Sequence, residues 1–380
     1  MSETATAPTA PTIEPVKKRM IETDRQVCLI RFSPDGRHLF GGGFDASIRR
    51  WDFAAADAKE TDAADSAEAE ATTTQLEAIT GHDGWVQTLC FAPDGRMLFT
   101  ADSWGQVRAW RVDGDDVKSA WSVKTAHDGW VRAIAISPDG QTLASAGADR
   151  TIRLWSTADG KPIRELEGHT VDVFCLEFHP DGESLVSADF LSHLKHWNVD
   201  SGKCEREMRL ETMHLYARIQ DVAGIRVLSF DESGKTLLVA GSEPERAGRM
   251  IGIPTIRLLN WESLETTKTW HLGGSNNGYV FDLARHPDGY YVIATSGTPG
   301  TGQFLLLRPD EDEPFYTHTK IANCHGVALH PDNRTVVVAT INPRNQGNGA
   351  VRDKEGNYIG NWTPLHVFDL VPPAAPSESD

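Results

Sequence analysis

One four-residue turn recurs seven times in this chain of 380 residues and constrains its fold more tightly than any other feature. Ser-Pro-Asp-Gly or a variant stands at 33–36, 92–95, 137–140, 179–182, 231–234, 286–289 and 330–333. Each copy follows a short apolar run and precedes a second, as in CLIRF and HLFGG of the first unit or AIAIS and TLASA of the third. Pro presets φ at the first central position and Gly tolerates positive φ, so two β-rich runs joined this way make a hairpin. A third run closes each unit: IRRWD, VRAWR, IRLWS, LKHWN, IRLLN, FLLLR and LHVFD. Length alone would admit two or three domains, but an internal period overrides that prior.

Spacing is the stricter test. From turn glycine to closing aromatic the first four units share one register: 36→51, 95→110, 140→155 and 182→197. Later units lengthen only between the second and third runs. Between units lies a fourth run (TQLEAI, SAWSVKT, PIRELEG, KCEREMRL, TTKTWHL, EPFYTHTKI), and the seventh unit has none after it. PVKKRMIE at 15–22 has the character to supply it. A ring closed in this way removes the two unpaired sheet edges that an open array would expose.

The pattern resembles the WD-repeat β-propellers. Unit three, GWVRAIAISPDGQTLASAGADRTIRLWS with Ala126-His127 before it and Gly168-His169 after, is the nearest copy, and units five to seven lack the closing tryptophan. The resemblance spans 15–371 and implies an all-β, seven-bladed propeller of four-stranded antiparallel blades around a channel, the last blade closed by an N-terminal strand. Residues 1–14 and 372–380 are expected to be disordered tails, and 54–79 and 342–362 loop insertions, the first strongly acidic.

The resemblance also implies that His127, Ser145, Asp149 and Trp155 form a buried hydrogen-bonded tetrad. A Ser, a His and an Asp together invite a hydrolase reading, but a triad needs an exposed nucleophile and an oxyanion hole, and this set belongs inside a blade. Partial tetrads follow: Asp45 and Trp51 in unit one, His82, Thr100 and Trp110 in unit two, His169, Ser187 and Trp197 in unit four. Trp104 and Leu191 stand where the carboxylate would be, so blades two and four are expected to be weaker than blade three.

Function points to the face carrying the loops before the first strand and between the second and third. His-Asp-Gly-Trp-Val occurs twice, placing Trp85 and Trp130 at equivalent positions, with Trp104, Phe190, His193 and Tyr279 in neighbouring loops. Large aromatics of this kind anchor protein interfaces, although propeller aromatics also pack between blades. The expectation is a non-catalytic scaffold that binds a protein or peptide there.

Composition narrows the partner. Lys+Arg number 37 against 54 Asp+Glu, a net charge of −17. That argues against nucleic acid and anionic membranes, which are bound by basic faces, and favours a partner with some positive charge. The five Cys (28, 90, 175, 204, 324) are scattered, odd in number and without a Cys-x-x-Cys pair, so neither a disulfide framework nor a zinc site is expected. The N-terminal MSETATAPTAPTIEP lacks the apolar stretch of a secretory signal. A cytoplasmic, monomeric chain without cofactor is the reading. The alternative is a hydrolase: CHGVALHPD around His325 is similar to stretches in propeller lactonases, and His214, Asp221, Asp282 and His325 could gather a divalent metal in the channel.

Overall fold

The computed structural model describes residues 13–53, 73–113, 116–217, 220–244, 252–298, 300–321, 323–341 and 362–371. The side chains of 217 and 220–223 lie outside that description, as do most of the two expected insertions and both expected tails.

Seven antiparallel sheets form the seven blades. Blade three shows the plan: Val131–Ile136 lines the channel, Thr142–Gly147 and Ile152–Ser156 follow outward, and Pro162–Leu166 forms the rim. Burial falls in the same order. Thr142–Gly147 is buried along five of its six residues, whereas four of the five in Pro162–Leu166 are exposed. The Pro-Asp-Gly turns join first to second strands because each turn glycine adopts a left-handed φ, from +69° at Gly234 to +88° at Gly289. Asn333 takes the same region at +60° in blade seven. Blade five adds to the plan: His214–Ala217 pairs with the start of the eleven-residue strand Gln220–Phe230 and makes a fifth strand.

Neighbouring blades share one apolar core. Leu154 and Leu166 of blade three pack with Leu176, Leu185 and Trp197 of blade four. The closing turns also touch. Where His replaces Ser in the turn, its Nδ1 accepts the backbone N–H two residues on, which leaves Nε2–H to reach the next blade. His179 bonds the Gly234 carbonyl at 2.9 Å, His286 that of Asn333 at 2.7 Å and His330 that of Gly36 at 2.9 Å.

The ring closes between chain ends. Glu14–Glu22 pairs antiparallel with Pro364–Val371, from Glu14 opposite Val371 to Glu22 opposite Pro364. The seam is then fastened three times. Thr363 N–H donates to Thr23 Oγ1 at 2.8 Å, while its own hydroxyl oxygen accepts Val27 N–H at 2.9 Å. Buried Arg49 of blade one holds Asp24, just after the closing strand, and Asp45 with both guanidinium edges. Across the channel wall Arg31 of blade one forms a bidentate pair with Asp282 of blade six at 2.7 and 3.0 Å. That carboxylate also accepts Val327 N–H of blade seven at 2.9 Å, so three blades meet on one ion pair.

A chain lacking residues 1–24 loses the closing strand and the Asp24 clamp together. Its thermal midpoint is expected at least about 10 °C below that of the intact chain, because even a few kcal/mol moves a chain of this size by several degrees. Equal midpoints in scanning calorimetry would contradict this closure.

Candidate functional site

Blade three carries an unbroken chain of polar contacts. Trp155 Nε1–H donates to Ser145 Oγ at 2.8 Å, Ser145 Oγ lies 2.7 Å from His127 Nε2, and His127 Nδ1 lies 2.9 Å from Asp149. Burial pushes the Asp149 carboxyl upward, but the bonds from His127 and Arg153 outweigh it and hold the group far below the usual carboxylate range. Ser145 is fully buried. Its hydroxyl is not presented to solvent as a nucleophile.

The expectation that blades two and four lack the carboxylate does not hold. His82 Nδ1 meets Asp102 at 2.9 Å and His169 Nδ1 meets Asp189 at 2.9 Å; Thr100 and Ser187 complete the chains to Trp110 and Trp197. Both carboxylates come from the end of the second strand, two residues before the turn position that Asp149 uses. From there each also accepts two turn N–H groups: Trp104 and Gln106 on Asp102, Leu191 and His193 on Asp189. In Asp102 and Asp189 alike, these bonds overcome burial and keep the carboxyl below its ordinary range. The shift has a consequence for the surface: with the acid moved into the strand, position 104 is free to display an indole. Trp104 is 70% exposed.

Blade one does without the set. Gly41 stands where the hydroxyl would be, and the buried Trp51 Nε1 has no hydrogen-bond partner among the described residues. Asp45 serves the Arg49 clamp instead.

The channel itself is built by a repeated irregularity. Every first strand has a β-bulge near its start, after one pair in five blades and after two in blades five and six, and the residues in the bulge are Cys28, Gln87, Arg132, Phe174, Arg226, Phe281 and His325. A bulge re-aims a side chain, and all seven line a central cavity of about 950 Å³. At its mouth aromatic and guanidinium groups form a continuous arc. Phe44 meets Trp85 edge to face at 5.1 Å and Trp85 meets Trp130 at 5.7 Å. Arg132 lies over Trp130 at 4.3 Å and over Phe174 at 4.9 Å; Arg226 lies over Tyr279 at 4.9 Å and Phe281 at 4.7 Å. Phe190 joins through Phe174 at 5.3 Å.

Of the face residues read from sequence, then, Trp85, Trp130, Phe190 and Tyr279 belong to one arc, and Trp104 stands beside it on the rim. His193 turns away to share Asp189 at 3.3 Å. Sequence reading missed Phe44, Arg132, Phe174, Arg226 and Phe281. Aligning the units on Val27, Val86, Val131, Val173, Ile225, Val280 and Cys324 would have put four of them in the column that follows.

The four residues weighed as metal ligands are otherwise engaged or elsewhere. Asp282 is held by Arg31; His325 Nε2 is spent on the Val27 carbonyl at 2.7 Å, and burial lowers its proton affinity. His214 sits in the extra strand of blade five beside Arg209, and the Asp221 side chain lies outside the described residues. No cluster of three or more His, Cys, Asp or Glu suited to a metal exists among the described residues. Cys28 and Cys90 also face the channel, with burial pushing each thiol up to about 12.

Asp102→Ala and Asp189→Ala are each expected to cost about 3 kcal/mol in chemical denaturation, since each strands a buried histidine and two turn N–H groups. A loss under 1 kcal/mol, against the same change at Asp149, would restore the weak-blade expectation. Because Asp102, Asp149 and Asp189 titrate lower folded than unfolded, their stabilisation is complete above about pH 4 and is lost as pH falls through the folded values. A thermal midpoint that stays level from pH 6 down to pH 3 would contradict that.

Family comparison agrees with this division of the ring. Residues 19–52, 73–111, 120–156 and 160–198 match the WD domain, G-beta repeat family, one stretch for each of the first four blades. A search of curated proteins finds no matching relative. Blades five to seven keep the strand order while departing from the signature that the first four share. The chain is a seven-bladed β-propeller whose first four units are WD repeats.

Proposed function

We propose that this propeller is a non-catalytic scaffold that binds a protein or peptide across the channel mouth. The observation that carries the reading is Trp104, an indole left 70% exposed on a turn whose hydrogen bonds are fully supplied by Asp102. Trp85, at 43% exposed, and the arc running to Tyr279 extend the same apolar surface. An exposed indole on a rigid turn loses little entropy on binding and offers a large contact area, which is the chemistry of an interface anchor. The frame beneath it is stiff, so the cost of ordering the site is already met in the free protein.

Charge favours a partner with basic segments. Asp83 and Asp128 precede Trp85 and Trp130 in the two His-Asp-Gly-Trp loops, and both are exposed. Together with the net charge of −17 they draw in positive segments at long range and at low salt.

Trp104→Ala tests the reading, because the residue takes part in no ring contact among the described residues and its removal leaves the frame alone. Capture from native lysate, quantified beside the wild type, is expected to lose its specific partner at least about tenfold, with a thermal midpoint unchanged within about 2 °C. Undiminished capture by both Trp104→Ala and Trp85→Ala would remove this face from consideration.

A further inference from the structure

The bulge ring has a charge opposite to that of the molecule. Its two ionised members are arginines, and they differ in how they are satisfied. Arg132 donates to Asp172 at 3.2 Å and is neutralised there. Arg226 has neither hydrogen bond nor ion pair among the described residues, and its Nε is buried without a partner. Three rings surround its guanidinium: Phe281 at 4.7 Å, Tyr279 at 4.9 Å and Phe174 at 5.9 Å. Cation–π contact stabilises such a group but leaves its N–H donors unfilled. The remaining ring members add no charge. Cys28 is a protonated thiol that donates to the Val86 carbonyl at 2.8 Å, and His325 is neutral with its Nε2–H given to Val27.

We infer that Arg226 is the receptor for one anionic group, the carboxylate of an acidic residue inserted into the channel mouth by a bound peptide. The inference rests on the binding face proposed above and names the anchor it selects. The cavity of about 950 Å³ has room for a side chain, and its walls are low in dielectric, which strengthens a charge-assisted bond. Among the described acids, Asp172 is engaged with Arg132 and Asp282 with Arg31. Deeper in the channel, burial raises Glu177 to about 7, so its charge is already weakened at neutral pH. Acidic loops outside and an arginine inside that is unpaired among the described residues together select a peptide with an acidic anchor and basic flanks.

The test uses the full chain and three pools of capped, fluorescently labelled nonapeptides with randomised flanks and a fixed central Glu, Gln or Lys. Polarisation is expected to show the Glu pool bound about tenfold more tightly than the Gln pool, with the Lys pool weakest. Arg226→Met should bring the Glu/Gln ratio close to one, and Arg226→Lys should retain part of it. Trp104→Ala should weaken the Glu and Gln pools in parallel and leave their ratio intact. A wild-type ratio near one, a preference for Lys, or a Glu preference that survives Arg226→Met would each overturn the anion assignment while leaving the binding face standing. Undiminished binding in Trp104→Ala with a preserved Arg226 effect would overturn the aromatic rim and keep the receptor. Should Arg226→Met fail to fold, Arg226→Gln replaces it; no binding of any pool by the wild type at about 1 mM counts against both.

Discussion

The pairing of Glu14–Glu22 with Pro364–Val371 is the contact on which the other features depend. Six blades are made of residues consecutive in the chain, and only the seventh joins its two ends. Without it the outer edge of Pro364–Val371 would stand open, and an unpaired edge is a template for pairing with other chains. The reinforcement is concentrated there. Arg49, Thr363 and the Arg31–Asp282 pair all bridge blade one to its neighbours on the closing side. The apolar core continues across the seam as well, with Val27, Ile30 and Trp51 packed against Val337, Leu365 and Val367.

Within that ring, frame and display are separated by a small change in where a carboxylate originates. Blade three spends a turn residue, Asp149, on anchoring its histidine. Blades two and four draw the same anchor from the strand end and let the turn carry something else: an exposed tryptophan in one, leucine in the other. The bulges act alike at the channel. Each keeps the strand ladder intact on both sides while turning one side chain per blade out of the sheet and toward the channel, so Cys, Gln, Arg, Phe and His can occupy equivalent positions without disturbing the sheet.

The architecture was open to reading because its signals are local. A Pro-Asp-Gly turn forces a hairpin whatever surrounds it, and a fixed spacing to the closing tryptophan repeats the unit. The ring closure was legible too, from a missing run at one end and a spare one at the other. What escaped was geometry that sequence offset misrepresents. Asp102 and Asp189 lie two positions from where the motif puts an acid, yet a strand-end carboxylate reaches the same imidazole. The bulge changes strand parity by one residue, so Arg132 and Arg226 read as ordinary alternation when they in fact face the cavity. His325 stood out for its neighbours in sequence, but its ring nitrogen is consumed by a backbone carbonyl on blade one.

Joining the two ends of the polypeptide also sets an order of events in biosynthesis. Bringing Glu14–Glu22 to Pro364–Val371 closes a loop of some 350 residues, which at (3/2)RT ln n costs about 5 kcal/mol if the intervening chain is unstructured. Blades one to six can assemble as they leave the ribosome and shorten that loop to the distance between neighbouring modules. Until translation reaches the final blade, the nascent propeller exists as an open crescent with two adhesive borders, and this interval is when it most needs a chaperone.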